Sequence, residues 1–267
     1  MTRINELINL SGRTALVTGA AGGLGKVFSH TLAELNSNLI LIDRNSAELM
    51  PLKNDLQKAY GIEVEVHILD LENQESRTDV CESIIKSKKN LDILVNNAAF
   101  VGSNSLEGWK EEFEMQSTDT WRRAFEVNLT AVFDLCRDLS SKIRESKHGS
   151  IINIASIYGI HGPDWRIYDG AGMGNPAAYA ASKGGLLQLT RWLSTTLAPS
   201  IRVNAIAPGG IFRDQPEEFV QRYSSKVPMS RMATEDDLRG ALAYFASDLS
   251  AYVTGQVLVV DGGWGIW

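Results

Sequence analysis

The stretch TALVTGAAGGLGKVF, residues 14–28, decides the fold. It opens as a short β-rich apolar run and closes as the start of a helical pattern. Between the two, Gly19, Gly23 and Gly25 form a turn. Glycine takes backbone angles closed to other residues and lets a ligand approach the main chain. A helix opening on such a turn offers free N–H groups and a partial positive charge, which suits a phosphate. A glycine-rich βα turn also occurs without a ligand, so this motif alone carries little.

Working outward, the same alternation continues. Apolar runs fall at 14–19, 39–43, 63–69, 91–97, 150–156, 202–208 and 256–262. Amphipathic stretches lie between them, near 24–35, 46–59, 73–89, 119–144, 177–197 and 234–247. Near-continuous Val/Ile/Leu strands spaced by helices predict a parallel sheet covered on both faces, a doubly wound Rossmann-type α/β fold. No linker, low-complexity segment or internal repeat divides the chain, so 1–267 reads as one domain. In such folds ligands bind beyond the carboxyl ends of the strands, and the residues singled out below cluster there.

The composition is that of a soluble globular protein, with 44% apolar and 22% charged residues. The net charge of −6 comes without an acidic or basic block, which argues against nucleic acid and membrane surfaces as partners. Cys81 and Cys136 lie far apart and read as inert thiols of a reducing compartment. His30, His67, His148 and His161 show no metal-ligand spacing, and no metal is expected. The start, MTRINELINLSGR, does not resemble a signal peptide, and no apolar run reaches the ~20 residues of a membrane span. A cytoplasmic protein is expected.

The second strand run, LILID, ends at Asp43, 24 residues after Gly19. A carboxylate there accepts hydrogen bonds from an adenosine ribose and repels a 2′-phosphate, favouring NAD over NADP. Arg44 complicates the choice, because a guanidinium either binds that phosphate or stacks on adenine. Asp70 and Leu71 are placed to flank the adenine. The fourth run ends in NNAA, where Asn97, Ala98 and Ala99 leave room for a flat ring and a ribose; loop capping is the plainer role for an asparagine there.

Together with Asn128 in FEVNLT, Ser156 in INIAS, YAASK and NAIAPGGI, these pieces resemble the short-chain dehydrogenase/reductase family. They stand in family order over nearly the whole chain. The resemblance implies a seven-stranded parallel sheet, a nicotinamide cofactor, and a homotetramer or homodimer. It implies a catalytic set of Asn128, Ser156, Tyr179 and Lys183. It also implies cofactor contacts from Gly19, Gly23, Leu24, Gly25, Pro208, Gly209 and Ile211. Lys183 would hold the nicotinamide ribose, and Asn128 a water relaying protons from Lys183.

The chemistry agrees. Alcohol oxidation by hydride transfer needs a base for the hydroxyl proton, and ketone reduction needs the same group as an acid. A phenol titrates near 10, too high for a base at neutral pH, unless cations favour its ionised form. Lys183 lies four residues after Tyr179 on one helix face. Ser156, ending the fifth run, is suited to orient the substrate oxygen.

Two departures from the family stand out. A threonine commonly follows the proline of APGGIF by five residues; here that position is Arg213. Arg213 replaces the hydroxyl's pyrophosphate contact, binds an acidic substrate group, or faces water. The second departure is an insert, 157–176, between Ser156 and Tyr179. It carries His161, Asp164, Trp165, Arg166, Tyr168 and Asp169, groups suited to a polyhydroxylated substrate; a rigid surface loop or an oligomer contact is the alternative. Such an insert resembles a surface-sugar subgroup of the family associated with nonulosonic acid pathways. Residues 100–117 look like a further pocket wall. Residues 211–232 read as a helical lid over the active site, and Trp264 and Trp267 as interface residues. The expected function is NAD(P)-dependent interconversion of a secondary alcohol and a ketone on a sugar derivative. Reduction of a 3-oxoacyl thioester with NADPH, or a non-catalytic NAD-binding regulator, are the alternatives.

Overall fold

The computed structural model describes residues 1–102 and 106–266. Seven strands form one parallel sheet in the order β3-β2-β1-β4-β5-β6-β7. They are β1 (Thr14–Thr18), β2 (Asn38–Asp43), β3 (Val64–Ile68), β4 (Ile93–Asn96), β5 (Gly149–Ile154), β6 (Ile201–Pro208) and β7 (Val257–Val260). Strand order reverses between β1 and β4, which opens a crevice at their carboxyl ends.

The helices are α1 (Ile4–Ile8), α2 (Gly23–Glu34), α3 (Ser46–Tyr60), α4 (Gln74–Lys86), α5 (Thr118–Phe125), α6 (Ala131–Arg144), α7 (Ala177–Leu197), α8 (Glu217–Ser225) and α9 (Arg239–Ala246). The central strands β1, β4 and β5 are buried along their whole length, so they read as apolar runs rather than alternations. Two apolar layers result. One joins Leu16, Leu94 and Ile151 to residues of α4, α6 and α7; the other joins Val17, Val95 and Ile152 to α2, α3 and α9. Among the described residues no helix is long and apolar enough to cross a membrane.

The amphipathic stretch 119–144 is not one regular helix. A π turn, Glu126–Thr130, separates α5 from α6, with the Ala131 N–H reaching five residues back to the Glu126 carbonyl. Such turns concentrate at functional sites, and this one carries Asn128, which is fully buried. Beneath it lies Arg77 of α4, only 1% exposed. Its guanidinium donates to Asp134 Oδ2 at 2.9 Å, to Glu126 Oε1 at 2.6 Å and to the Leu71 carbonyl. One buried cation therefore ties the loop after β3 to the π turn and to α6.

Removing one partner of a buried charge cluster costs several kcal/mol, because the other charges stay buried. Arg77→Leu is expected to lower unfolding free energy by about 3 kcal/mol or more, read by urea denaturation. A loss under about 1 kcal/mol would place the cluster outside the folding core.

Candidate active site

The glycine turn is built by close approaches. Gly19 has a φ of 62°, and a Cβ on it would lie 2.8 Å from Ala98 Cα. A Cβ on Gly25 would lie 1.9 Å from the Gly19 carbonyl oxygen. Gly22 caps α2 and has no side chain to bind its N–H groups, which stay open toward the crevice. Thr18 and Asn97 brace this turn from β1 and β4. Thr18 Oγ1 accepts from the Asn97 and Ala98 N–H groups, each at 3.0 Å, and Asn97 Nδ2 donates to the Thr18 carbonyl at 2.9 Å. Asn97 thus spends its amide on the turn, which is the loop-capping role.

Asp43 ends β2 with Oδ2 accepting from the Ala21 N–H at 2.9 Å and Oδ1 from the Asn45 N–H at 3.0 Å. Arg44 is exposed and turned toward Asp70, 3.7 Å away. A single crevice of about 640 Å³ joins these groups. Its walls include Gly19, Gly23, Leu24, Gly25, Asp43, Arg44, Asp70, Leu71, Asn97, Ala98, Ala99, Ser156, Tyr179, Lys183, Pro208, Gly209, Ile211 and Arg213.

Tyr179 and Lys183 project from α7, with the Lys183 Nζ 5.8 Å from the Tyr179 ring centre. Lys183 is 2% exposed, and its ammonium donates to the Ile154 carbonyl at the end of β5, 2.6 Å away. Among the described residues no carboxylate pairs with it. Burial pushes its pKa down to about 8. The Tyr179 phenol is raised above its ordinary value, mainly by burial; a hydrogen bond with Ser156 and the charge of Arg213 oppose this. Burial outweighs the groups that favour ionisation, so the net direction for the phenol is upward. Gly159, just after Ser156, packs so closely on α7 that a Cβ there would lie 2.8 Å from the Lys183 carbonyl. That contact sets Ser156 against Tyr179.

Asn128 stands behind the crevice rather than in its wall. Its Oδ1 accepts from the Phe100 N–H at 2.6 Å, and its Nδ2 donates to Ser182 Oγ at 3.0 Å. The side chain clamps the chain after β4 to α7.

Asp164 and Arg166 do not line the crevice. Asp164 is held by Arg166, Oδ1 to Nε at 2.8 Å, and by Lys226 from the end of α8. The Arg222 guanidinium also donates to the Asp169 carbonyl. Between these clips Ile167 packs with Phe219, Tyr223, Val227 and Met232 in a small core of its own. Paired charges and a shared apolar core make the insert the partner of 211–232, which a sequence without contacts does not show. Trp264 belongs to that unit too, stacked on Tyr223 at 4.4 Å and half-buried. Trp267 lies outside the described residues.

The comparisons with known proteins agree with this geometry. Residues 19–265 match the family model adh_short_C2, described as enoyl-(acyl carrier protein) reductase. The chain belongs to the short-chain dehydrogenase/reductase family. It is 35% identical over 264 residues to the 3-oxoacyl-acyl-carrier-protein reductase FabG of Rickettsia felis, covering 96% of this chain and 98% of that one. A putative NAD(P)-dependent gluconate 5-dehydrogenase from Beutenbergia cavernae, solved with NADP, superposes with a TM-score of 0.85 at 31% identity, covering 97% and 98%. A short-chain dehydrogenase from Leptospira borgpetersenii with bound NAD+ gives 0.85 at 30% identity, covering 100% and 97%. This dehydrogenase/reductase is thus an NAD(P)-dependent oxidoreductase.

Three contributors were not legible in the sequence. Thr18 acts through N–H groups about 80 residues away, and Arg77 through the distant carboxylates of Asp134 and Glu126. Asn96 starts a buried chain, donating to Asn153 Oδ1 at 2.9 Å, and Asn153 donates to Thr190 Oγ1 of α7 at 2.9 Å. Only the hydrophobic context of β4 and β5 hinted at it, since an asparagine in a fully buried strand needs a partner.

Burying an ammonium that titrates near 10.5 in the unfolded chain and near 8 in the folded one costs about 3 kcal/mol. The cost is fully present below pH 8 and fades as the pH rises toward 10.5. Lys183→Met is therefore expected to raise the melting temperature at pH 7, with the gain shrinking by pH 10, in paired thermal scans. A variant less stable than the parent at pH 7 would contradict this.

Proposed function

We propose that the crevice catalyses hydride transfer between a nicotinamide dinucleotide, NAD preferred, and the CH–OH or ketone carbon of a sugar or sugar derivative. The observation that carries this reading is that Ser156, Tyr179 and Lys183 share one crevice with the glycine turn and Asp43. The glycine turn suits a dinucleotide because the N-terminus of α2, capped by Gly22 without a side-chain bond, opens on the same crevice as Asp43. Gly19, Gly23, Leu24 and Gly25 would hold the pyrophosphate, and Asp43 the adenosine ribose. Asp70 and Leu71 would flank the adenine, with Arg44 at its edge. Asn97, Ala98, Ala99 and Lys183 would hold the nicotinamide ribose, and Pro208, Gly209 and Ile211 the nicotinamide. When bound, the dinucleotide supplies or accepts the hydride. Asp43 favours NAD because its charge opposes a 2′-phosphate, and Arg44 is already turned to Asp70.

The chain's own groups do the rest. Ser156 orients the reacting oxygen. Tyr179 moves the proton: its raised pKa keeps the phenol protonated and ready to donate to a ketone oxygen. In the reverse direction Tyr179 accepts the alcohol proton, and the Lys183 ammonium stabilises the phenolate. Asn128 holds the chain after β4 to the helix that carries both.

A second cavity of about 930 Å³ lies beside the first turn of α7 and holds none of the catalytic side chains, so it does not bear on the substrate. Lys110, Trp165, Arg166, Tyr168 and Asp169 line it. A gluconate 5-dehydrogenase among the solved structures supports the sugar-like substrate. The second reading, a 3-oxoacyl thioester reduced with NADPH, is favoured by the FabG relatives. A cytoplasmic homo-oligomer is the setting we propose for either.

The test is a panel of sugars, polyols and 3-oxoacyl thioesters with each dinucleotide, followed by nicotinamide absorbance. A sugar or polyol with NAD is expected to give the highest kcat/KM; a thioester with NADPH would establish the second reading. Tyr179→Phe is expected to lower kcat about a thousandfold while leaving dinucleotide binding nearly unchanged. Binding of NAD with no turnover across the panel would favour a non-catalytic role.

A further inference from the structure

Arg213 and Glu235 meet above the cradle, and the reason lies in the backbone. Ile211 and Ala233 form a parallel bridge, with the Phe212 N–H donating to the Ala233 carbonyl at 2.8 Å. Two residues farther along each strand, Arg213 and Glu235 emerge side by side, Nε to Oε1 at 3.0 Å. The pair comes down on Gly23, the first residue of α2. A Cβ on Gly23 would lie 3.0 Å from both Arg213 Nη2 and Glu235 Oε1.

That spot is the open N-terminus of α2, whose N–H groups favour an anion and disfavour a lone guanidinium. The Glu235 carboxylate lies beside this terminus, over Gly23. Arg213 lines the crevice, and its charge reaches the Tyr179 phenol, so it faces the ligand space rather than bulk water alone. It also stands where the family commonly has a threonine. We propose that Arg213 is a pyrophosphate-binding residue of this chain, and that Glu235 is an internal anion that the pyrophosphate displaces as the partner of Arg213. The proposal rests on the reading of the crevice as a dinucleotide site. No covalent change is involved; one ion pair is exchanged for another.

The two substitutions are expected to act in opposite directions. In direct titration of the full-length protein with NADH, read by fluorescence or calorimetry, Arg213→Leu should weaken binding roughly tenfold or more. Glu235→Gln should tighten it roughly two- to fivefold, because the competitor is gone. The salt dependence of NADH affinity should be steeper in the parent than in Arg213→Leu. A pair that merely braces the loop would make both variants bind more weakly, and that result overturns the proposal. So does unchanged affinity in Arg213→Leu, while leaving the dinucleotide reading intact. A parent protein that binds neither NADH nor NADPH removes both.

Discussion

The ammonium of Lys183 sits in the interior with a carbonyl for a partner and, among the described residues, no carboxylate, and much of the molecule is arranged around that exception. An unpaired buried cation opposes folding. It persists because α7 is fixed from several sides. The Asn96–Asn153–Thr190 chain joins it to the sheet, Asn128 joins it to the chain after β4, and Gly159 lets the segment after Ser156 press on its backbone. The crevice therefore holds a positive charge before any ligand arrives. Its neighbour Tyr179 is kept protonated by burial, and Ser156 shares its hydroxyl with that phenol. In the proposed reaction, proton transfer in either direction starts from this state.

A second theme is the self-containment of the segments around the substrate side. The insert and residues 211–232 share an apolar core and are clipped by Asp164 and Lys226 and by Arg222 and the Asp169 carbonyl. Tyr223 connects that unit to the end of the crevice lined by Gly209 and Ile211, since its hydroxyl accepts from the Gly210 N–H at 2.6 Å while its ring stacks on Trp264. Any movement of α8 is thus transmitted to the loop after β6. The polar groups of the insert that face outward border the second cavity instead of the catalytic crevice.

The sheet was legible because its central strands β1, β4 and β5 are buried on both faces and read as unbroken apolar runs, and because each βα turn carries glycine, asparagine or aspartate. Tyr179 and Lys183 were legible for a similar reason: a four-residue spacing on a helix fixes a shared face. The roles of Asp164 and Arg166 were not, because a charged side chain in a loop finds its partner through tertiary folding, and Lys226 lies 62 residues away from Asp164. The π turn at Asn128 was hidden for another reason. No glycine or proline marks it, and the extra residue is absorbed by the Glu126 carbonyl, with Arg77 of a different helix paired to the Glu126 carboxylate. Arg213 was visible as a departure from the family, while Glu235, its counterpart, became visible only through the bridge between Ile211 and Ala233.

The central claim is that this site stores a cation beside a protonated phenol and lets Tyr179 ionise readily only when the oxidised dinucleotide is in place. The direct measurement is a pH titration of tyrosinate ultraviolet absorbance in the parent and in Tyr179→Phe, each with and without NAD+. The account predicts that the free parent shows no Tyr179 ionisation below the ordinary tyrosine range. With NAD+ bound, one tyrosine should ionise at lower pH, and that step should be missing from Tyr179→Phe. A Tyr179 that already ionises early in the free protein, or whose titration is unmoved by bound NAD+, would contradict it.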